Sequence, residues 1–299
     1  MNHLQDENIN LTARILRHVP SSALMTICPT WVATTFAVLC LATMFSARAQ
    51  TPDEPPRSYV LGAFPYLPSR ELENLFAPIA ADFKRALGRD IQFMSKTSFE
   101  SFSKELVENQ SYDIAFVQPF DYVLAAGHSG YLPLAARPEK LYALIVTTKD
   151  SPIRELADLK GKRISLPPRD SAISRLIRVY LRKHGLVPGK NIEFVYLRSH
   201  TSCLQYVLIG QIDACGTTPS AMHHLKNPAR ERLRGIAETD VIPPALFVVH
   251  SRVPESERKL ILNAILAWPT TPDGLEIQLS GFAPVADSDY DVVRKFPTD

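Results

Sequence analysis

Ser171, Ser174 and His200 stand at the starts of two inferred helices, where hydroxyls, an imidazole and unpaired backbone donors come together. The stretch "RISLPPRDSAISRLIRVYLRKHGL" (163–186) runs from a short apolar strand through two prolines into an amphipathic, arginine-rich helix. A helix N-terminus presents about four N–H groups without intrahelical partners and roughly half a positive charge. Such a turn can therefore seat an oxyanion. Ser171 can donate its hydroxyl proton to that anion, Ser174 lies one turn on, and Arg169 or Arg175 can supply a planar fork of donors. A purely structural reading fits the same residues. Ser171 can N-cap the helix, with Ile173, Leu176, Ile177, Tyr180 and Leu181 as its buried face and Arg175, Arg178, Arg182 and Lys183 as its solvated face. His200 is similarly double: it can donate to an anion, which would favour its charged form, or be an ordinary capping or surface residue.

Three further polar side chains sit where strands end. Tyr66 follows the first strand, and Gln118 and Thr217 close the strands of two stretches that echo each other, "ENQSYDIAFVQPFDYVLAA" and "IGQIDACGTTPSAMHHL". In each, an Asp, a short strand and a Pro that opens a helix follow one another, with the same spacing from Asp113 to Pro119 as from Asp213 to Pro219. Two α/β halves would then present strand-end loops, the place where open α/β sheets bind ligands. Catalysis has no such support: there is no G-x-S-x-G elbow, Walker loop or metal-ligand cluster. No cofactor is expected, and the adjacent His223 and His224 point to different helix faces.

The elements that must position these groups alternate. Strands are expected at 58–64, at "DIQFMS", "YDIAFV", "LYALIVTTKD", "RISL", "NIEFVYL" and "QIDACG". Helices are expected over "SRELENLFAPIAADFKRALG", with Leu72, Leu75, Phe76, Ile79 and Phe83 on one face and Gly88 as terminator, and over "TSFESFSKELVEN", where Thr97 and Glu100 have capping-box spacing. Further helices are expected over "PFDYVLAAG", "SPIRELADLKGK" with Ser151 as N-cap and Pro152 at N1, 171–184, 200–209 and from Pro219. Alternation of this kind predicts an α/β protein with mostly parallel sheets flanked by helices.

The chain of 299 residues is long enough for two lobes with cores of their own. A formal charge of +2 and the lack of basic runs interleaved with aromatics argue against nucleic acid as a partner. Arg14, Arg17 and His18 precede an uncharged stretch from Val19 to Ala47, followed by an A-x-A site, Ala47–Ala49, and a Pro-rich leader. That order predicts a cleavable export signal, with an uncleaved membrane anchor as the alternative. Cys28 and Cys40 would leave with it. Cys203 and Cys215 remain, either as a disulfide of an oxidising compartment or as two buried thiols, and no third ligand is spaced to make them a metal site.

The blocks "GAFPYL", "SYDIAFVQPFDYVLAA", "LYALIVTTKDSPIRELADLKGKRISL", "RSHTSCLQYVLIGQIDA", "IPPALFVVH" and "GFAPVADSDYDVVR" occur in one order over about residues 58–294. In that order they resemble periplasmic substrate-binding proteins of the phosphate, phosphite and phosphonate type, which have the two-lobed type II fold with a hinge between lobes. With the export signal expected over 1–49 and the flexible leader over 50–57, the resemblance implies a chain that crosses between lobes twice, with one lobe expected from 58–146 and 235–299 and the other from 147–234. It implies an anion turn at Arg169–Arg175 that keeps Ser171, has Ala172 and Ile173 where further hydroxyls are usual, and has Ser174 in place of Gly. It also aligns Ser199-His200 with a cleft Ser-His, Tyr122 with a family Tyr, and Val117 and Gln118 with a usual aromatic and Gly. A monomer that captures a small oxyanion for the membrane permease of an ABC importer is the expectation. A ligand-sensing subunit for a histidine kinase, or an enzyme on the same scaffold, are the alternatives.

Overall fold

The computed structural model describes residues 57–268 and 281–297. The expected export signal, the leader as far as Pro56, and Cys28 and Cys40 lie outside these residues. Among the described residues no helix is long and apolar enough to cross a membrane.

The chain opens with β1 (Tyr59–Ala63), α1 (Ser69–Leu87), β2 (Ile91–Ser95), α2 (Phe99–Val107), β3 (Ile114–Val117) and α3 (Pro119–His128). β4 (Tyr131–Ala136) follows, and after it β5 (Leu144–Thr148) begins a second sheet. Next come β6 (Arg163–Leu166), α4 (Ala172–Lys183), β7 (Glu193–Tyr196), α5 (His200–Leu208), β8 (Ala214–Thr217), α6 (Pro219–His223), α7 (Asn227–Glu231) and β9 (Leu233–Glu238). The chain then returns through β10 (Leu246–His250), α8 (Glu255–Leu266), β11 (Ala283–Pro284) and α9 (Asp291–Arg294). One sheet has the order β11-β4-β10-β3-β1-β2 and the other β7-β6-β8-β5-β9.

Each sheet is built round a parallel triplet of the same design, β2-β1-β3 and β7-β6-β8. The expected parallel arrangement holds there, and the remaining strands join antiparallel. The Asp113/Asp213 echo has a physical basis in these triplets. The Asp113 carboxylate accepts from Val60 N at 2.9 Å, and the Asp213 carboxylate accepts from Arg163 N at 2.8 Å. Each aspartate therefore ties the strand that it precedes to the parallel neighbour. Asp113 is buried and also holds Arg57 and Arg252, with the Arg252 Nε at 2.7 Å.

Several elements differ from their sequence signals. The box at the start of α2 is formed by Ser98 and Ser101, one residue past Thr97, because the Ser98 hydroxyl is the one that meets the N3 amide. "SPIRELADLKGK" makes only a single 3₁₀ turn, Leu156–Leu159, in which Asp158 gathers the Arg154 and Glu155 amides. Strands β4, β9 and β10 carry no clear period-two signal, and β4 even holds Pro133. The lobe boundaries expected at 146/147 and 234/235 fall inside β5 and β9, which pair with each other in the second sheet.

The chain crosses between sheets through residues 137–143 and 239–245, and the two crossings are tied together. Leu141 and Ile242 exchange backbone hydrogen bonds of 2.8 Å each way, the Thr239 N–H reaches Ala143 O at 2.9 Å, and the Thr239 hydroxyl accepts from Ala143 N at 2.9 Å.

In the second lobe α4 lies directly on β8. A Cβ at Gly216 would collide with the Ile177 side chain and come within 2.5 Å of Leu166. Gly216→Ala is therefore expected to destabilise the fold by about 1–3 kcal/mol through overpacking, read as a lower urea midpoint at an unchanged m-value.

Candidate functional site

The carboxyl ends of β1 and β3 in one lobe, and of β6, β7 and β8 in the other, carry the residues singled out in the sequence. The start of α4 is the centre of the arrangement. Ser171 is its N-cap, buried, with its hydroxyl accepting from Ser174 N at 3.3 Å. The Ser174 hydroxyl, also buried, donates to Pro167 O at 2.9 Å, so it braces the turn that leads into the helix. Arg175 N closes the first turn on Ser171 O.

The remaining acceptor comes from the opposite lobe. Gln118, at the end of β3, is buried; its Oε1 accepts from Ala172 N at 2.8 Å and its Nε2 donates to Asp170 O at 2.9 Å. Gln118 is the N-cap residue of α3, yet its side chain makes no capping bond to the amides of that helix. It caps the facing lobe's helix instead. Thr218, at the equivalent position of the second lobe, caps its own helix by accepting from Ala221 N at 3.2 Å. With Gln118 in place, Ile173 N–H is the first-turn donor of α4 left without a partner among the described residues.

His200 and Thr217 meet at the adjoining strand ends, with Nδ1 and Oγ1 3.1 Å apart. The Nε2 of His200 has no protein partner among the described residues. Burial lowers the pKa of His200 to about 4, so the ring is neutral near pH 7 in the absence of a ligand. Tyr66 follows β1 in the first lobe, its ring 4.8 Å from Phe64 and 6.1 Å from Phe116. Its hydroxyl meets no described residue, and burial alone raises its pKa.

Tyr122 does not join the group. It is fully buried, donates its hydroxyl to Asp287 Oδ1 at 2.5 Å and packs edge-on to Tyr290 at 4.8 Å. Its place one helical turn past Gln118 directs it into the core of the first lobe. The arginines of α4 also depart from a solvated face. Arg178 is buried and donates to Arg169 O at 2.7 Å; Arg175 lies 4.4 Å from the centre of the Phe120 ring and donates to Pro297 O at 2.9 Å. Arg169 is exposed, 5.9 Å from the centre of the Tyr196 ring. Cys203 and Cys215 are both buried and free, and burial together with the neighbouring Cys203 raises the Cys215 thiol well above its usual pKa. A thiol held protonated in this way, as Cys215 is, is chemically quiet. Sequence reasoning missed Asp121, on the first turn of α3, which is buried, with its Oδ2 lacking any hydrogen-bond partner. Its only signal was an acidic residue two positions after the helix-opening Pro119.

Comparison with known proteins decides the family. The profile of the ABC transporter phosphonate periplasmic substrate-binding proteins matches residues 61–290. The chain belongs to that family, which is one of substrate-binding transport proteins and not of enzymes. Solved structures with the same type II periplasmic binding protein fold include PhnD1 of Prochlorococcus marinus in complex with methylphosphonate, at TM-score 0.69 and 16% identity, covering 81% of this chain and 97% of that one. A binding component of an ABC phosphonate transporter from Pseudomonas aeruginosa gives TM-score 0.67 at 16% identity, over 82% and 86% of the two chains. A Xanthomonas citri protein bound to chloride gives 0.65 at 16% identity, over 80% and 95%. At these identities the likeness is one of fold.

Two outcomes follow from this geometry. Gln118→Ala removes two interlobe hydrogen bonds, and the unliganded protein is expected to open, seen as a larger radius of gyration in X-ray scattering, with about 1–2 kcal/mol less stability. His200 has its pKa lowered on folding from 6.5 to about 4. The unfolded chain therefore binds a proton that the fold refuses between those values, and stability falls as pH drops from about 6.5 to 4. His200→Gln is expected to remove about 1–3 kcal/mol of this acid sensitivity, read from urea midpoints at pH 7 and pH 4.5.

Proposed function

We propose that the cleft captures a small oxyanion of the phosphonate, phosphite or phosphate type and delivers it to the membrane permease of an ABC importer. The observation that supports this reading most directly is the first turn of α4. Its Ala172 N–H is held by a neutral carbonyl from the other lobe, and its Ile173 N–H is unclaimed. A ligand oxygen that displaces Gln118 Oε1 gains both donors at the positive end of the helix dipole. Ser171 adds a hydroxyl proton, and His200 Nε2 and Tyr66 supply donors from the neighbouring strand ends. Thr217 holds the imidazole ring, and Ser174 keeps the turn in shape. Gln118 then acts as the group that the ligand must turn aside. Binding an anion beside His200 favours its charged form, so affinity rises as pH falls toward the pKa of the ring.

On the same reading the chain reaches the periplasm by a signal cleaved after Ala49 and works as a monomer. Calorimetry with methylphosphonate, phosphite and phosphate on the chain beginning at Gln50 is expected to give a Kd of roughly micromolar or below for at least one of them. The double variant Ser171→Ala, His200→Ala should weaken that ligand at least tenfold, about 1.4 kcal/mol or more. No heat and no thermal stabilisation with any of these anions would overturn the reading.

A further inference from the structure

The interlobe boundary also holds a cavity of about 620 Å³ between α2, the first turns of α3 and the first turns of α4. Gln118 forms part of its wall, but Tyr66, Ser171, Ser174, His200 and Thr217 do not line it. It is thus separate from the anion seat, with the Gln118 side chain between them as a shared partition.

Its chemistry is the opposite of that of the seat. Phe99, Phe120 and Leu124 give it an apolar wall, and Asp121 faces it from the first turn of α3. Asp121 is 5% exposed and its Oδ2 is buried without a hydrogen-bond partner. It forms no ion pair among the described residues. Burial raises its pKa to about 7, and the Gln118 and Ser103 side chains and the Arg175 charge offset only part of that. Lys104, Arg175 and Arg178 line the cavity together with Glu100, Glu108 and Asp170; Arg175 is stacked on Phe120 and bonded to Pro297 O, and Arg178 donates to Arg169 O. A buried carboxylate oxygen left unmet is costly, and a group that brings both N–H donors and positive charge relieves that cost.

We propose that this cavity is a second ligand site, for a small organic ammonium ion whose hydrocarbon part lies on Phe99, Phe120 and Leu124 and whose counter-ion is Asp121. Since α2 and α3 belong to one lobe and Asp170, Arg175 and Arg178 to the other, an occupant touches both. It would thereby favour the closed arrangement over the open one, independently of the anion.

The test is calorimetry of the chain from Gln50 with n-butylammonium and phenethylammonium chloride at pH 8. Tetramethylammonium chloride is the control, since it carries the charge without N–H donors. The primary amines are expected to bind and the tetramethyl ion to bind at least tenfold more weakly. Asp121→Asn, checked for a cooperative thermal transition, should weaken the amines at least tenfold, and lowering the pH to 5, where Asp121 is protonated, should weaken wild-type binding in the same direction. Saturation with methylphosphonate should not displace them. The proposal is overturned if neither amine binds the wild type, if Asp121→Asn binds them as well, or if methylphosphonate competes, which would put the amine in the anion seat.

Discussion

The contact between Gln118 and the start of α4 governs the whole arrangement. At the start of a helix in a closing interface, each donor left unmet once water is excluded costs free energy comparable to a lost hydrogen bond. In this chain the Ala172 N–H is met by an amide from the other lobe, and the Asp170 carbonyl is met by the other end of the same amide. The two lobes are therefore closed by an internal group that is electrically neutral. On the proposed function, a charged ligand gains more from the helix dipole than that group does, but it must first break a satisfied pair, so its observed affinity is the intrinsic affinity of the seat reduced by the population in which Gln118 already fills it.

Both lobes are variations on one plan, and the variation is informative. Asp113 and Asp213 perform the same task in the two sheets, holding the amide of a parallel neighbour. Pro119 and Pro219 both open helices at N1. The residues just before them diverge: Thr218 is short and turns back on its own helix, whereas Gln118 is long enough to cross the interface. One side chain at one position of the plan thus turns a local cap into a bridge between lobes. Phe120 extends the same bridge, taking the Arg175 guanidinium on its face and the Phe296 ring at its edge, 5.5 Å away.

What could be read in the sequence follows the range of the interactions. Helices α1, α4 and α5, the caps of the first two at Gly88 and Ser171, and the repeated Asp-strand-Pro unit depend on neighbours within a few positions, and they were legible. Of the antiparallel strands, β5 was legible from its apolar run, but β4, β9, β10 and β11 were not. β10 is placed between β3 and β4 by pairings such as Val249 with Ile114, and no local pattern encodes a partner so distant. Ser151 and Pro152 looked like a helix start, but Asp158 collects the Arg154 and Glu155 amides and closes a tighter turn first. At the site, Ser171 could be located by its helix start, while the use of Gln118 could not, since Ala172 lies 54 positions further along the chain. Arg178 misled for the same reason: helical periodicity assigns it to water, and the turn at Arg169 folds back to cover it.

The paired crossings at Leu141 and Ile242 set what kind of machine this can be. A single strand joining two lobes would act as a swivel, free to twist as well as bend. Two strands side by side, locked by reciprocal backbone bonds and by Thr239 against Ala143, act as a door hinge with one axis. Occupancy of the cleft is thereby converted into a single angle. A membrane partner that touches both lobes at once can read that angle without ever meeting the ligand.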